Sequence, residues 1–156
     1  MKIKFLGDTH DELTNQNKLI NDLSKYKKYD IWLEFLYPED IENIKLKRYD
    51  LILKNLINNN WSLQYNENII RIIKHAVKLN INIYPLEDHK YSLKSFLEKY
   101  GTIGLLIYLN DRISDKPGGC NDRWVKKIKQ HQLHSNKNQL IFAGKLHQDA
   151  ILKFLN

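Results

Sequence analysis

The sequence predicts an α/β fold: a single domain over residues 1–156, with a mainly parallel β-sheet of about four strands and helices on both faces. Four short apolar runs have the composition of buried strands, and longer segments with helical apolar spacing separate them. This alternation is typical of a parallel sheet covered by crossover helices. A chain of 156 residues is long enough for one domain that buries roughly two thirds of its unfolded surface.

Each predicted strand is a short apolar run that ends at a turn or at polar residues. The second run, "YDIWLEFL", does not alternate between apolar and polar residues, which indicates a strand buried on both faces. The third run, "INIYPLED", ends in a proline and two acids. The four runs cover residues 2–6, 29–36, 81–88 and 139–144.

Helices are predicted where apolar residues recur at spacings of three and four. The first follows the first strand, with Thr9 or Asp11 as candidate N-caps. Residues 91–114 fit either a buried strand or a helix, and we favour a helix. The other predicted helices cover residues 41–58, residues 66–80 with Asn66 as N-cap, about residues 121–131, and the residues after His147.

The formal charge of +7 and the pI near 9.3 raise the question of a nucleic-acid or acidic-membrane partner. The lysines are spread from Lys2 to Lys153, which argues against a dedicated electrostatic surface. Residues 123–134, "RWVKKIKQHQLH", form the densest basic stretch, and we expect them to supply the solvated face of a helix. Nucleic-acid binding is therefore an alternative that the composition does not favour.

The compartment is predicted from cysteine usage and from the absence of targeting signals. Cys120 is the only cysteine, so no intramolecular disulfide can form, and it is expected in the loop "KPGGCNDR". The N-terminus has no apolar h-region, and no run approaches the ~18 apolar residues of a membrane span. We therefore expect a cytoplasmic protein without a membrane span.

Polar and ionisable residues follow each of the four predicted strands. Because parallel strands present their carboxyl ends at one edge of the sheet, groups that follow different strands are brought together there. The groups are Asp8 and His10 after the first strand, Glu34 in the second, Glu87, Asp88 and His89 after the third, and Lys145 and His147 after the last. This edge is the predicted functional site.

Glu34 is the most informative of these residues. An ionised carboxylate buried without a partner costs several kcal/mol, so a glutamate inside an apolar strand requires a cation or a cluster of hydrogen-bond donors. His10 and His147 occupy matching positions after the glycine-containing turns "GDTH" and "GKLH". Glu87, Asp88 and His89 are expected to be solvated in a turn, and Asp8 fits a helix cap as well as a site residue.

The opening "MKIKFLGDTHDE" is similar to the first motif of calcineurin-like metallophosphoesterases, in which Asp-x-His supplies two metal ligands. That family also requires a Gly-Asn-His element, which occurs nowhere in this chain. Because this element is missing, we keep a two-metal phosphoesterase only as a further alternative.

A second resemblance covers residues 3 to 147. The stretches "LGDTHDE", "WLEFLYPED", "NNNWSLQYNENIIRIIKHAVKLNINIYPLED", "NDRWVKKI" and "LIFAGKLH" resemble, in the same order, the motifs of the erythromycin-esterase/ChaN-like superfamily, to which TraB/Tiki proteins are more distantly related. The resemblance places the family's acid at Asp8, its first histidine at His10, its second-strand glutamate at Glu34 and its final histidine at His147. Asp8 replaces a glutamate of the family, and Asn121 stands where the family has an arginine.

The resemblance implies hydrolysis of an ester or peptide-like bond in a small-molecule or peptide substrate. His10 would act as general base on a water, or would hold a divalent metal ion together with Asp8. Glu34 would orient or ligate, and His147 would assist as acid or ligand, so these four residues are the candidate catalytic and metal-binding set. The alternative within this resemblance is a non-catalytic pocket for haem, a metal or another small ligand.

Overall fold

Four parallel strands form one sheet in the structure, a computed structural model that describes residues 2–8, 13–57 and 62–155. The fourth strand lies between the first and the second, and the third strand is at the edge. The predicted parallel α/β architecture is confirmed. The strands are β1 (Ile3–Asp8), β2 (Tyr29–Leu33), β3 (Ile83–Pro85) and β4 (Asn138–Gly144).

Helices cover both faces of the sheet, also as predicted. Along the described residues they are α1 (Thr14–Asp22), α2 (Pro38–Lys45), α3 (Tyr49–Ile57), α4 (Leu63–Lys78), α5 (Leu93–Tyr100), α6 (Gly104–Arg112), α7 (Cys120–Gln132) and α8 (Gln148–Leu155). None of these helices is long and apolar enough to cross a lipid bilayer.

Alternate side chains of the central strands enter two separate cores. Ile31 and Leu33 of β2 pack with α1 to α4, whereas Trp32 packs on the opposite face with α7 and α8. The connection from β3 to β4 runs back across β2, so a right-handed crossover places α7 on the second face. Both faces are therefore covered, which explains why the strand sequences do not alternate in polarity.

Two helix predictions need correction. Residues 41–58 were expected to form one helix, but the chain breaks between α2 and α3, where Lys47 adopts a positive φ of 56°. The N-cap of α4 is Ser62, whose Oγ accepts a hydrogen bond from the Tyr65 amide at 3.2 Å, and Asn66 lies inside the helix. The candidate caps Thr9 and Asp11 lie outside the described residues.

The ambiguous segment 91–114 is helical and forms a hairpin of two helices. Gly101 ends α5 with a φ of +61°, a conformation that favours glycine. At Gly104 a Cβ atom would lie only 2.4 Å from the carbonyl oxygen of Phe96, so glycine permits α6 to pack directly against α5. The hairpin ends at Arg112, which it carries to the carboxyl edge of the sheet.

Candidate functional site

Glu34 lies at the carboxyl end of β2 with only 2% of its surface exposed. Its Oε2 accepts a hydrogen bond from the backbone amide of Gly144, the last residue of the neighbouring β4. Its Oε1 accepts a hydrogen bond from Nη2 of Arg112. Glu34 therefore has both the cation and the donor that a buried carboxylate requires.

Arg112 connects Glu34 to a second buried carboxylate, that of Glu87 after β3. Its guanidinium also lies over the ring of Trp124, with the Cζ atom 5.1 Å from the ring centroid. Burial acts to lower the pKa of Arg112, but Glu87 and Glu34 outweigh it and raise the pKa well above its ordinary value. Arg112 therefore carries a permanent positive charge between the ends of β2 and β3.

Glu87 has a pKa above its ordinary value although it contacts Arg112. Burial is the largest cause, Arg112 opposes it, and the neighbouring charge of Glu34 adds to it. Two carboxylates share one guanidinium, so the cluster has an excess of negative charge when both are ionised. The expectation that Glu87 is solvated is wrong, because only 7% of its surface is exposed.

His147 is buried and is held by a chain of two hydrogen bonds. Asn121 Nδ2 donates to Asp115 Oδ1 at 2.7 Å, which leaves Asn121 Oδ1 to accept from Nδ1 of His147, also at 2.7 Å. A neutral His147 therefore carries its proton on Nδ1, and Nε2 is the basic atom. Nε2 lies 3.8 Å from Oε1 of Glu34, close enough for the carboxylate to stabilise a protonated ring.

The turn after β4 brings His147 to this position. A single 3-10 turn over Lys145–His147 follows Gly144 and directs the imidazole inward against Trp124, with the ring centroids 4.6 Å apart. On the neighbouring strand, a Cβ atom at Gly7 would lie 3.2 Å from Cα of Lys145, so glycine allows the two strand ends to approach closely. Asp8 pairs with Gly144 in the register of β1 and β4.

The structure thus brings together two of the four predicted site residues, Glu34 and His147. His10 and the side chain of Asp8 lie outside the described residues, so their predicted roles stay predictions. Within the described ranges, no group of three or more His, Cys, Asp and Glu side chains is arranged to hold a metal ion. Both oxygens of Glu34 already accept hydrogen bonds. Arg112 supplies the positive charge that this buried carboxylate would otherwise need from a metal ion.

Two other predicted positions, His89 and Asp88, are not part of this cluster. His89 is exposed, stacks on Tyr37 with the ring centroids 4.3 Å apart and pairs with Glu39. Asp88 caps the 3-10 turn that contains His89 by accepting a hydrogen bond from the Lys90 amide. These contacts are structural.

Sequence reasoning missed Arg112 and the role of Asn121. Arg112 lies 78 residues after Glu34, in the helix whose assignment was ambiguous. The signal that could have found it was the requirement of Glu34 for a cation. Asn121 orients His147 through a hydrogen bond to Nδ1, while Arg112 binds Glu34 from another helix.

Cys120 is not in a loop as expected but is the first residue of α7, where it is fully buried. Burial raises the pKa of its thiol to about 12. A buried thiol with a raised pKa is a poor nucleophile at neutral pH.

Compared with protein-family models, with curated proteins and with solved structures, the chain shows no match in any of the three. Its function is therefore inferred from the side chains at the carboxyl edge of the sheet.

Proposed function

We propose that the chain is a hydrolase of an ester or peptide-like bond, with its site at the carboxyl ends of β2 and β4. The observation that carries the proposal is the arrangement of His147: Asp115 and Asn121 fix its tautomer, and Nε2 is directed toward Glu34. The order of motifs shared with the erythromycin-esterase/ChaN-like superfamily supports the same reaction class.

In this proposal His147 acts as one acid–base group of the reaction. Nε2 accepts a proton from a water or returns it to the leaving group, and Glu34 stabilises the imidazolium that forms in between. Arg112 holds Glu34 in place through their ion pair. Asp8 is the last residue of β1, the strand that pairs with β4, and His10 follows it in the sequence; the proposal assigns His10 as the second acid–base group.

The proposed reaction uses a water activated by histidine, and Arg112 favours a mechanism without a metal ion. The alternative is a pocket that binds a metal ion or haem without catalysis. Elemental analysis of protein purified without chelator, together with absorbance after haem addition, separates the two. Hydrolysis that survives chelation supports the proposal, whereas stoichiometric metal or haem with no turnover supports the alternative.

The test is hydrolysis of a panel of activated aryl esters, lactones and chromogenic peptides by the wild type and by His147→Gln. Removing a general acid–base group is expected to lower kcat/KM by about 100-fold or more. The matched control is His75→Gln, because His75 lies on α4 across the sheet from the site, and it should retain full activity. Absence of turnover on every substrate, or full activity of His147→Gln, would overturn the proposal.

A further inference from the structure

A groove runs between α7 and the end of the edge strand β3. Its lining includes Arg123, Lys127, Gln130 and His131 of α7, and His134, which follows the helix. Two clefts of about 240 and 310 Å³ share the lining residues Lys127 and Gln130, and we call these two neighbouring clefts together the α7–β3 groove. Together they have the size of a small-molecule site.

One end of the groove is lined by more basic than acidic side chains, with four Lys or Arg residues beside Glu87 and Asp88. Nζ of Lys127 donates to the backbone carbonyls of Leu86 and Glu87, at 2.9 and 2.8 Å, and these acceptors are neutral. Lys90 lines the same end. Among the described residues, no carboxylate lies within 4.0 Å of the ammonium group of Lys90 or Lys127.

The other basic residues at this end are already neutralised. Arg123 makes a two-pronged ion pair with Asp111, at 2.8 and 2.7 Å, and Lys126 pairs with Asp122 at 2.8 Å. Lys127 is half-buried, and burial lowers its pKa against the opposing effect of Asp88 and Glu87. An anion beside Lys127 and Lys90 would add to the countercharge that Asp88 supplies at this end.

The other end of the groove is flat and largely apolar. It is lined by Trp32, Pro38, Pro85 and the imidazole of His131. His131 is fixed, because its Nε2 bonds to Asp30 at 2.8 Å and its ring lies 5.4 Å from that of Trp32. Rigid rings and prolines of this kind suit a planar apolar group.

The edge strand itself argues against a peptide as the ligand. β3 is only three residues long, and Pro85 has no amide hydrogen to offer to an added strand. The edge of β3 therefore offers few backbone donors for strand addition.

We propose that the α7–β3 groove binds a small amphipathic anion, with a flat apolar ring against Trp32 and Pro85 and a carboxylate or phosphate group at Lys127 and Lys90. This site does not depend on the proposed hydrolase activity. Trp124 lines the groove and also contacts His147, but the charged end of the groove is formed by other side chains. The basic stretch of α7 thus supplies a binding surface in addition to a solvated helix face.

The test is isothermal titration calorimetry with four probes that hydrolysis cannot alter: phenylphosphonate, benzoate, inorganic phosphate and benzyl alcohol. At least one of the two aromatic anions should bind saturably and about tenfold more tightly than inorganic phosphate or benzyl alcohol, since only they engage both ends. Tighter binding of phenylphosphonate would identify phosphate as the head group, and tighter binding of benzoate would identify carboxylate.

Matched variants on one helix locate the site. Lys127→Gln should weaken binding about tenfold through loss of a charge-assisted contact. Lys90→Gln, an exposed substitution that leaves the fold intact, should weaken it in the same direction. Lys129→Gln removes the same charge from an exposed position of α7 outside the groove and should leave the Kd unchanged. No saturable binding of either aromatic anion, or equal weakening by Lys129→Gln, would overturn the proposal.

Discussion

Arg112 is the residue on which the buried charge cluster depends. It is 13% exposed, and it contacts two carboxylates that are themselves almost fully buried, Glu34 and Glu87. Desolvating such charges is costly unless each has a partner of opposite sign. Removing Arg112 should therefore lower the free energy of unfolding more than removing one of the two carboxylates.

We predict that Arg112→Met lowers the free energy of unfolding by about 3–5 kcal/mol at neutral pH, because two buried carboxylates lose their cation. Glu34→Gln should cost less, about 1–2 kcal/mol, because Arg112 keeps Glu87 as its partner. Urea unfolding of both variants measures the difference. Glu34→Gln should nevertheless reduce turnover or ligand binding, since the carboxylate beside Nε2 of His147 is lost.

The control is Glu42→Gln, which removes an exposed carboxylate paired with Lys45 at 3.6 Å and should change stability by less than about 1 kcal/mol. If Glu34→Gln destabilised the protein as much as Arg112→Met and left turnover unchanged, Glu34 would be a structural residue only.

The hairpin of α5 and α6 is the element that delivers Arg112 to the sheet. α6 approaches the backbone of α5 directly at Gly104, where a side chain would not fit, whereas Leu106 and Leu109 are 67% and 51% exposed. Tyr108 of α6 also lies against Phe96, with the ring centroids 5.9 Å apart, and Asp111 pairs with Arg123 of α7. The close approach of Gly104 to Phe96 is therefore one of the contacts that position Arg112.

We predict that Gly104→Ala displaces α6 and disturbs the site from a distance. The new Cβ would lie 2.4 Å from the oxygen and 2.7 Å from the carbon of the Phe96 carbonyl, and backbone atoms cannot move aside cheaply. We expect a loss of about 1–3 kcal/mol in urea unfolding, with lower turnover and faster amide exchange in α6. Asn110→Ala, an exposed substitution on the same helix, should change neither. A Gly104→Ala protein as stable and active as the wild type would show that the hairpin contact does not position Arg112.

The strands and the elements next to the sheet follow directly from the sequence, because buried apolar runs such as residues 139–144 have one dominant interpretation. The same reasoning predicted that Glu34 and His147 lie near each other, since parallel strands gather their carboxyl ends at one edge, and the two side chains are in contact. It did not find the break at Lys47, where a lysine rather than a glycine takes the left-handed conformation. It also missed Arg112, because the contact between α6 and β2 is set by helix packing, which local residue patterns do not encode.

At the scale of the whole molecule, the two edges of the sheet hold buried carboxylates with opposite pKa shifts. At the carboxyl edge, burial raises the pKa of Glu87. Toward the amino edge lies Asp30, which is 1% exposed and accepts hydrogen bonds from His131, Ser135 and Asn82. Burial acts to raise the pKa of Asp30, but these hydrogen bonds outweigh it and lower the pKa below 3.8. Asp30 thereby joins β2 to the end of α7 and to two loops.

The opposite shifts predict opposite contributions to stability as the pH changes. The pKa of Asp30 is lower in the folded than in the unfolded chain, so its contribution is complete above pH 3.8 and is lost as the pH falls through the folded value. Asp30→Asn should therefore destabilise the protein at neutral pH, by about 1–3 kcal/mol, because an amide donor now faces three donors. It should also flatten the decline in stability below pH 3.8.

Glu87→Gln should act in the other direction, because its pKa is higher in the folded chain and ionisation destabilises the fold as the pH rises above 4.5. Removing this titration should reduce the loss of stability between pH 4.5 and neutrality, while Arg112 retains Glu34 as its partner. Urea unfolding across the acidic range measures both slopes, with Glu67→Gln as an exposed control of equal charge change. If Asp30→Asn and Glu87→Gln gave the same pH profile as Glu67→Gln, acid stability would depend on net charge and not on these two buried carboxylates.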